Sequence, residues 1–178
     1  MARDDIAALL HSEDYEGLVR LARTEAARVI RYLTGRLYST NEPEKWRAVH
    51  GLGDLCGDPD ITSEDKVKDL LQRFFWAMND ESGAVPYGIP EAIGEILSRR
   101  REFQAEHLPI LCTMLTHEEM IQTGPIERGV MWALGRVGVP VLECSPEAVK
   151  ALQQAVWSHP EEETRKVASW ALEQIKGG

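Results

Sequence analysis

Asp80 and Glu81 are adjacent carboxylates in the segment 79–86 (NDESGAVP), directly after the aromatic run Phe74-Phe75-Trp76. Two neighbouring acids can ligate a metal ion, or act as a general acid and a general base. Ser82 and Gly83 supply a tight turn, and the same polar side chains also serve as plain turn formers by bonding to nearby backbone amides. The ligand alternation of an EF-hand is absent, which excludes a dedicated calcium loop. His50 stands four residues before Asp54, the spacing of a His–Asp ion pair on one helix face. His107, His117 and His159 are scattered, and none belongs to an HExxH or similar metal-ligand spacing. Cys56, Cys112 and Cys144 include no CxxC, so neither a disulfide scaffold nor a zinc ribbon is expected. Cys112 is expected in the core, and Cys56 and Cys144 as exposed thiols in loops. No glycine-rich phosphate loop, GxSxG elbow or Ser-His-Asp order appears. The sequence thus predicts no catalytic set, no metal site and no cofactor.

The elements that carry these residues repeat along the chain. Residues 46–55 (WRAVHGLGDL), 87–96 (YGIPEAIGEI), 128–137 (RGVMWALGRV) and 166–175 (KVASWALEQI) are one phrase at offsets of 41, 41 and 38 residues. Four apolar columns align: Ala48, Ile89, Val130, Ala168; Gly51, Ala92, Ala133, Ala171; Leu52, Ile93, Leu134, Leu172; and Leu55, Ile96, Val137, Ile175. Their i, i+3, i+4, i+7 spacing marks one face of a helix. A preceding series keeps an unbroken offset of 41: Ala26, Val67, Leu108, Val149; Val29, Leu70, Leu111, Leu152; and Leu33, Phe74, Leu115, Val156. Each unit therefore reads as helix A, loop, helix B. Thr62, three residues before Asp65, predicts a capping-box start for the second helix A, and Ser145-Pro146 an N-cap with proline at the first helical position for the fourth. Gly53, Gly94 and Gly135 recur inside helix B, where glycine costs about 1 kcal/mol relative to alanine, so close backbone packing is expected there.

On each helix B the residues at i, i+4 and i+8 that avoid the apolar columns form a line: Trp46, His50, Asp54; Tyr87, Glu91, Glu95; Arg128, Trp132, Arg136; and Lys166, Trp170, Gln174. In a stacked helical repeat this line falls on the concave inner wall, the usual binding surface. It predicts a groove with an aromatic ladder, acidic at one end through Asp54, Glu91 and Glu95 and basic at the other through Arg128, Arg136 and Lys166. Trp, Tyr and Arg are the types enriched at binding hot spots. Pro86, Gly88 and Pro90 move the start of the second helix B to about Ile89, which places Tyr87 in a loop.

Helix pairs of about 40 residues whose second helix reads like 129–138 (GVMWALGRVG) resemble HEAT-type repeats. More closely, they resemble the HEAT-like repeats related to phycobilisome lyases, and residues 75–97 are similar to a segment of small bacterial HEAT-like proteins. The resemblance covers roughly residues 15–176 and implies an interaction scaffold. Deoxyhypusine hydroxylase-like relatives hold iron with several His-Glu pairs, and here only His117-Glu118 occurs. Repeat-built DNA glycosylases require a basic surface, which this composition disfavours.

The chain has 178 residues, with 20 Lys and Arg against 29 Asp and Glu, a net charge of −9. Such an acidic balance argues against nucleic acid and anionic membrane as partners. No apolar run reaches a membrane span, and the odd cysteine count fits a cytoplasmic location. The expected fold is an all-α, right-handed alpha-alpha superhelix in a single HEAT-like domain, 1–178. A cap over 1–14 precedes repeats at about 15–57, 62–101, 104–138 and 145–176. The expected function is a non-enzymatic scaffold for a peptide or protein segment. The alternative is an enzyme or cofactor-handling protein, lyase- or chaperone-like or metal-binding, using the loop carboxylates Asp80 and Glu81 with groove residues such as His50.

Overall fold

A computed structural model describes residues 2–79, 84–117 and 124–177, and among them every regular element is a helix. In chain order these are α1 (Ala2–His11), α2 (Tyr15–Arg36), α3 (Glu42–Gly57), α4 (Glu64–Met78), α5 (Ile89–Arg99), α6 (Gln104–Thr116), α7 (Gly124–Val137), α8 (Pro140–Cys144), α9 (Pro146–Ser158) and α10 (Glu162–Ile175). A 3-10 turn, Arg101–Phe103, leads into α6. Two compact units, Met1–Ala92 and Ile93–Gly178, divide within α5.

Local chemistry sets the helix ends. The Asp14, Asn41 and Ser145 side chains accept hydrogen bonds from the amides of Gly17, Glu44 and Ala148 at 2.8, 3.0 and 3.1 Å, capping α2, α3 and α9. Ser145 with Pro146 behaves as its sequence predicts. Thr62 does not. It is fully buried, its hydroxyl donates to the Leu55 carbonyl at 2.9 Å, and Ser63 holds the N-cap position of α4. Thr62 therefore ties the end of α3 to the next helix instead of capping it. The 22-residue α2 is kinked at Glu25, where the backbone leaves helical geometry (φ −131°, ψ 33°).

All residues of the four helix-B columns are buried, from Ala48, Ile89, Val130 and Ala168 to Leu55, Ile96, Val137 and Ile175. Of the helix-A columns, Val29, Leu70, Leu111 and Leu152 are all buried, whereas the flanking columns are partly exposed at Ala26, Leu115, Val149 and Val156. In the first unit α1 packs on α2 and α3 with Ile6 and Leu10 buried, and Leu33 of α2 reaches to Gly51 of α3. In the second unit α7 packs on α6 and α10, and α9 on α6, α8 and α10. Each fully buried leucine or isoleucine contributes roughly 1.5–3 kcal/mol. Cys112 is buried as expected and Cys144 is half-buried. Cys56, expected as an exposed loop thiol, is buried within α3.

Two of the three helix-B glycines, Gly94 and Gly135, have a steric cause. A Cβ on Gly94 would lie 2.6 Å from the Cα of Ala133, and one on Gly135 would lie 2.7 Å from the Cα of Ala171. Backbone meets backbone at both places, so no side chain can rotate away. A Cβ on Gly35 of α2 would meet nothing within 4 Å. Gly94→Ala is therefore expected to destabilise the protein by about 1–3 kcal/mol through overpacking, against the helix propensity of alanine. Gly35→Ala is expected to be neutral or to stabilise by up to about 1 kcal/mol. Urea denaturation of both variants checks this, and equal effects would remove close packing as the cause.

Candidate interaction surface

The face of α7 and α10 is built from residues four apart. On α7 these are Arg128, Trp132 and Arg136, and on α10 Lys166, Trp170 and Gln174. Trp132 and Trp170 stack with ring centroids 5.7 Å apart and planes inclined by 15°. The absent Cβ of Gly135 makes this possible, since it would lie 2.6 Å from Cζ3 of Trp170. Both indoles remain half-exposed. Such offset aromatic pairs are worth about 0.5–1.5 kcal/mol beyond their buried area.

Each cation of this face has an acid beside it. Arg128 reaches Glu161 at 3.1 Å, and Glu161 also accepts from the hydroxyl of buried Thr164. Lys166 lies 3.0 Å from Glu162 and 2.9 Å from Glu163, whose hydrogen bonds raise its pKa, while the Lys166 bond lowers that of Glu162. Arg136 donates through Nε and Nη2 to Glu95 at 3.1 and 3.3 Å, and Arg99 reaches Glu95 at 3.2 Å. The expected basic end is thus internally neutralised. Glu95, expected on the open acidic end, is only 2% exposed. It is the buried anchor of Arg99 and Arg136.

The first unit presents a second aromatic cluster. Trp46 stacks on His50 at 5.8 Å, donates from Nε1 to Glu42 at 3.2 Å, and carries Lys45 Nζ 4.9 Å above its ring. His50 is therefore an aromatic partner of Trp46. Asp54 is half-buried and shares a shallow pocket with Tyr15, Arg20 and Arg23. Burial, then Glu13, and also Asp54 raise the Tyr15 pKa. Tyr87 lies in the turn before α5, as the prolines predict. The loop carboxylates Asp80 and Glu81 lie outside the described residues.

Glu91 also departs from its expected place. Expected on the groove wall, it is 4% exposed, with Lys45 Nζ 3.7 Å from one oxygen. The other oxygen has no hydrogen-bond partner among the described residues. Lys45 is itself 5% exposed and also pairs with Glu42 at 2.9 Å. From Ile89 to Leu97 every residue of α5 is buried, so the line of i, i+4 carboxylates has no open side. Gly88 is the signal in the sequence for this burial, because a Cβ there would lie 2.8 Å from Cγ of Lys45. Trp157 and Trp76, 88% and 70% exposed, lie outside the predicted line. Among the described residues, no three or more His, Cys, Asp or Glu gather as a metal site, and no helix is long and apolar enough to cross a membrane.

Burial, only partly offset by Lys45, raises the Glu91 pKa from 4.5 to about 7. Between those values the folded chain holds a proton that the unfolded chain releases. Stability from this group is therefore greatest below about pH 4.5 and is lost as pH rises towards 7. Relative to wild type, Glu91→Gln should gain about 3 kcal/mol between pH 5 and pH 8. Denaturant titrations at both pH values test this, and parallel behaviour of the two proteins would contradict it.

No protein-family model matches the chain, and no curated protein matches it. Solved structures do. An engineered protein aligns over 91% of this chain and 71% of its own, with TM-score 0.52 and 20% identity. A second engineered protein aligns over 97% of this chain and 47% of its own, with TM-score 0.51 and 19% identity. A designed armadillo repeat protein in complex with peptide (KR)4 aligns over 96% and 80%, with TM-score 0.51 and 20% identity. These likenesses establish the fold: the chain is an all-α helical-repeat protein.

Proposed function

We propose that the chain is a protein-interaction module that holds a peptide or protein segment against the α7–α10 face. The stacked Trp132–Trp170 pair carries this reading. It offers two half-exposed indoles on packed helices, ringed by compensated charge, which is the composition of a binding hot spot. A rigid aromatic pair loses little side-chain entropy on binding. The Trp46–His50 stack on α3 is a second contact surface of the same kind in the first unit. The fold-level likeness to a designed repeat protein bound to a peptide supports a peptide partner. The paired cations and the net charge of −9 support a protein partner over nucleic acid.

Finer parts of the reading rest on the sequence. The phrase at 129–138 supports placing the helix pairs among HEAT-like repeats related to phycobilisome lyases, arranged as four repeats with α1 as cap. The odd cysteine count supports a cytoplasmic setting.

Trp132→Ala and Trp170→Ala are each expected to weaken partner binding by about 2 kcal/mol or more. Arg128→Ala, at a rim ion pair, should cost less than about 1 kcal/mol. Crosslinking-mass spectrometry identifies the partner, and titration of that partner against the folded variants gives the affinities. Unchanged affinity in both tryptophan variants would remove this face as the binding surface.

A further inference from the structure

Two of the three cysteines meet in the second unit. Cys112 lies in the middle of α6 and is 2% exposed, whereas Cys144 is the last residue of α8 and is half-buried. α6 and α8 pack against each other, with Val141 of α8 fully buried. This brings the Cys144 thiol within hydrogen-bonding reach of the Cys112 sulfur. Both are free thiols, so two reduced sulfurs face each other across 32 residues of chain, one of them open to solvent. The third, Cys56, is fully buried in α3 of the first unit.

We propose that Cys112 and Cys144 form a redox-active dithiol, which small-molecule disulfides oxidise to an intramolecular disulfide. This inference is independent of the α7–α10 binding face. The partly exposed Cys144 reacts first. Its thiolate, having released its proton to water, attacks one sulfur of the oxidant disulfide and expels one thiolate. The mixed disulfide then places the Cys144 sulfur beside Cys112. Cys112 loses its proton, attacks that sulfur and expels the second small thiol. Two protein thiols have then lost two electrons and two protons, and one disulfide has become two thiols.

The environment fixes this order. Burial first, then the charge of Cys144 and its hydrogen bond, push the Cys112 thiol up to about 12, so it is protonated at neutral pH and acts second. Closure should therefore accelerate with rising pH. The ring so formed contains α7 entire, and it joins α8 to α6 where they already touch. Oxidation should thus constrain the unfolded chain more than it alters the folded one, raising thermal stability.

The test treats fully reduced, folded protein with oxidised glutathione. Thiol counting after denaturation, intact mass, peptide mapping and thermal melting follow the reaction. Wild type should lose two of its three titratable thiols, form no disulfide between chains and yield one crosslinked peptide joining Cys112 to Cys144. Its melting midpoint should rise by several degrees and return on treatment with dithiothreitol. Cys112→Ser should retain a stable glutathione adduct on Cys144, and Cys144→Ser should react slowly or not at all. Circular dichroism confirms that both variants are folded. A persistent adduct on wild-type Cys144, an intermolecular disulfide, or retention of all three thiols would overturn the proposal.

Discussion

The contact between backbones at Gly94–Ala133 and Gly135–Ala171 is the constraint on which the second unit depends. With Cβ atoms missing at two glycines and alanines opposite, α7 comes closer to α5 and to α10 than longer side chains would allow. The separation sets what can occupy the flanks of the contact. Beside Gly135–Ala171 the indoles of Trp132 and Trp170 fall into a near-parallel stack. Beside Gly94–Ala133 the guanidinium of Arg136 reaches buried Glu95 with two hydrogen bonds. Glycine's unfavourable helix propensity is thus offset by packing, and the aromatic face is a consequence of that packing.

A second constraint is the enclosure of α5. Buried from Ile89 to Leu97, this helix must find partners for the charges it carries there, because an unpaired buried ion costs several kcal/mol. Glu95 finds two arginines. Glu91 finds Lys45, which is itself buried, and among the described residues one of its oxygens has no hydrogen-bond partner. Burying the ion outweighs that single pair, so the pKa of Glu91 rises to about 7. The two carboxylates are alike in sequence and four residues apart, yet the number of cations around each gives them different chemistry.

Much of this was legible in the sequence because periodicity reports burial directly. Every residue of the four helix-B columns is buried, Ser145 caps α9, and Tyr87 lies in a turn. Gly94 and Gly135 announced close packing. What periodicity cannot report is a helix covered on both sides. The same i, i+4 line that leaves Trp132 and Trp170 half-exposed on α7 and α10 is buried on α5. Nor does spacing along the chain reveal pairs made by packing. Arg136 meets Glu95, and Cys112 meets Cys144, through helix contacts that depend on inter-helix distance. Thr62 matched a capping pattern, but its burial beside the Leu55 carbonyl gave its hydroxyl a different acceptor.

Close approach at Gly135 creates the stacked tryptophan pair. Exciton coupling between indoles in circular dichroism reads that geometry directly. Wild type should give a coupled signal that disappears in Trp132→Phe. In a folded Gly135→Leu variant the signal should be strongly reduced, because a larger side chain there drives the helices apart. A signal unchanged by both substitutions would contradict it.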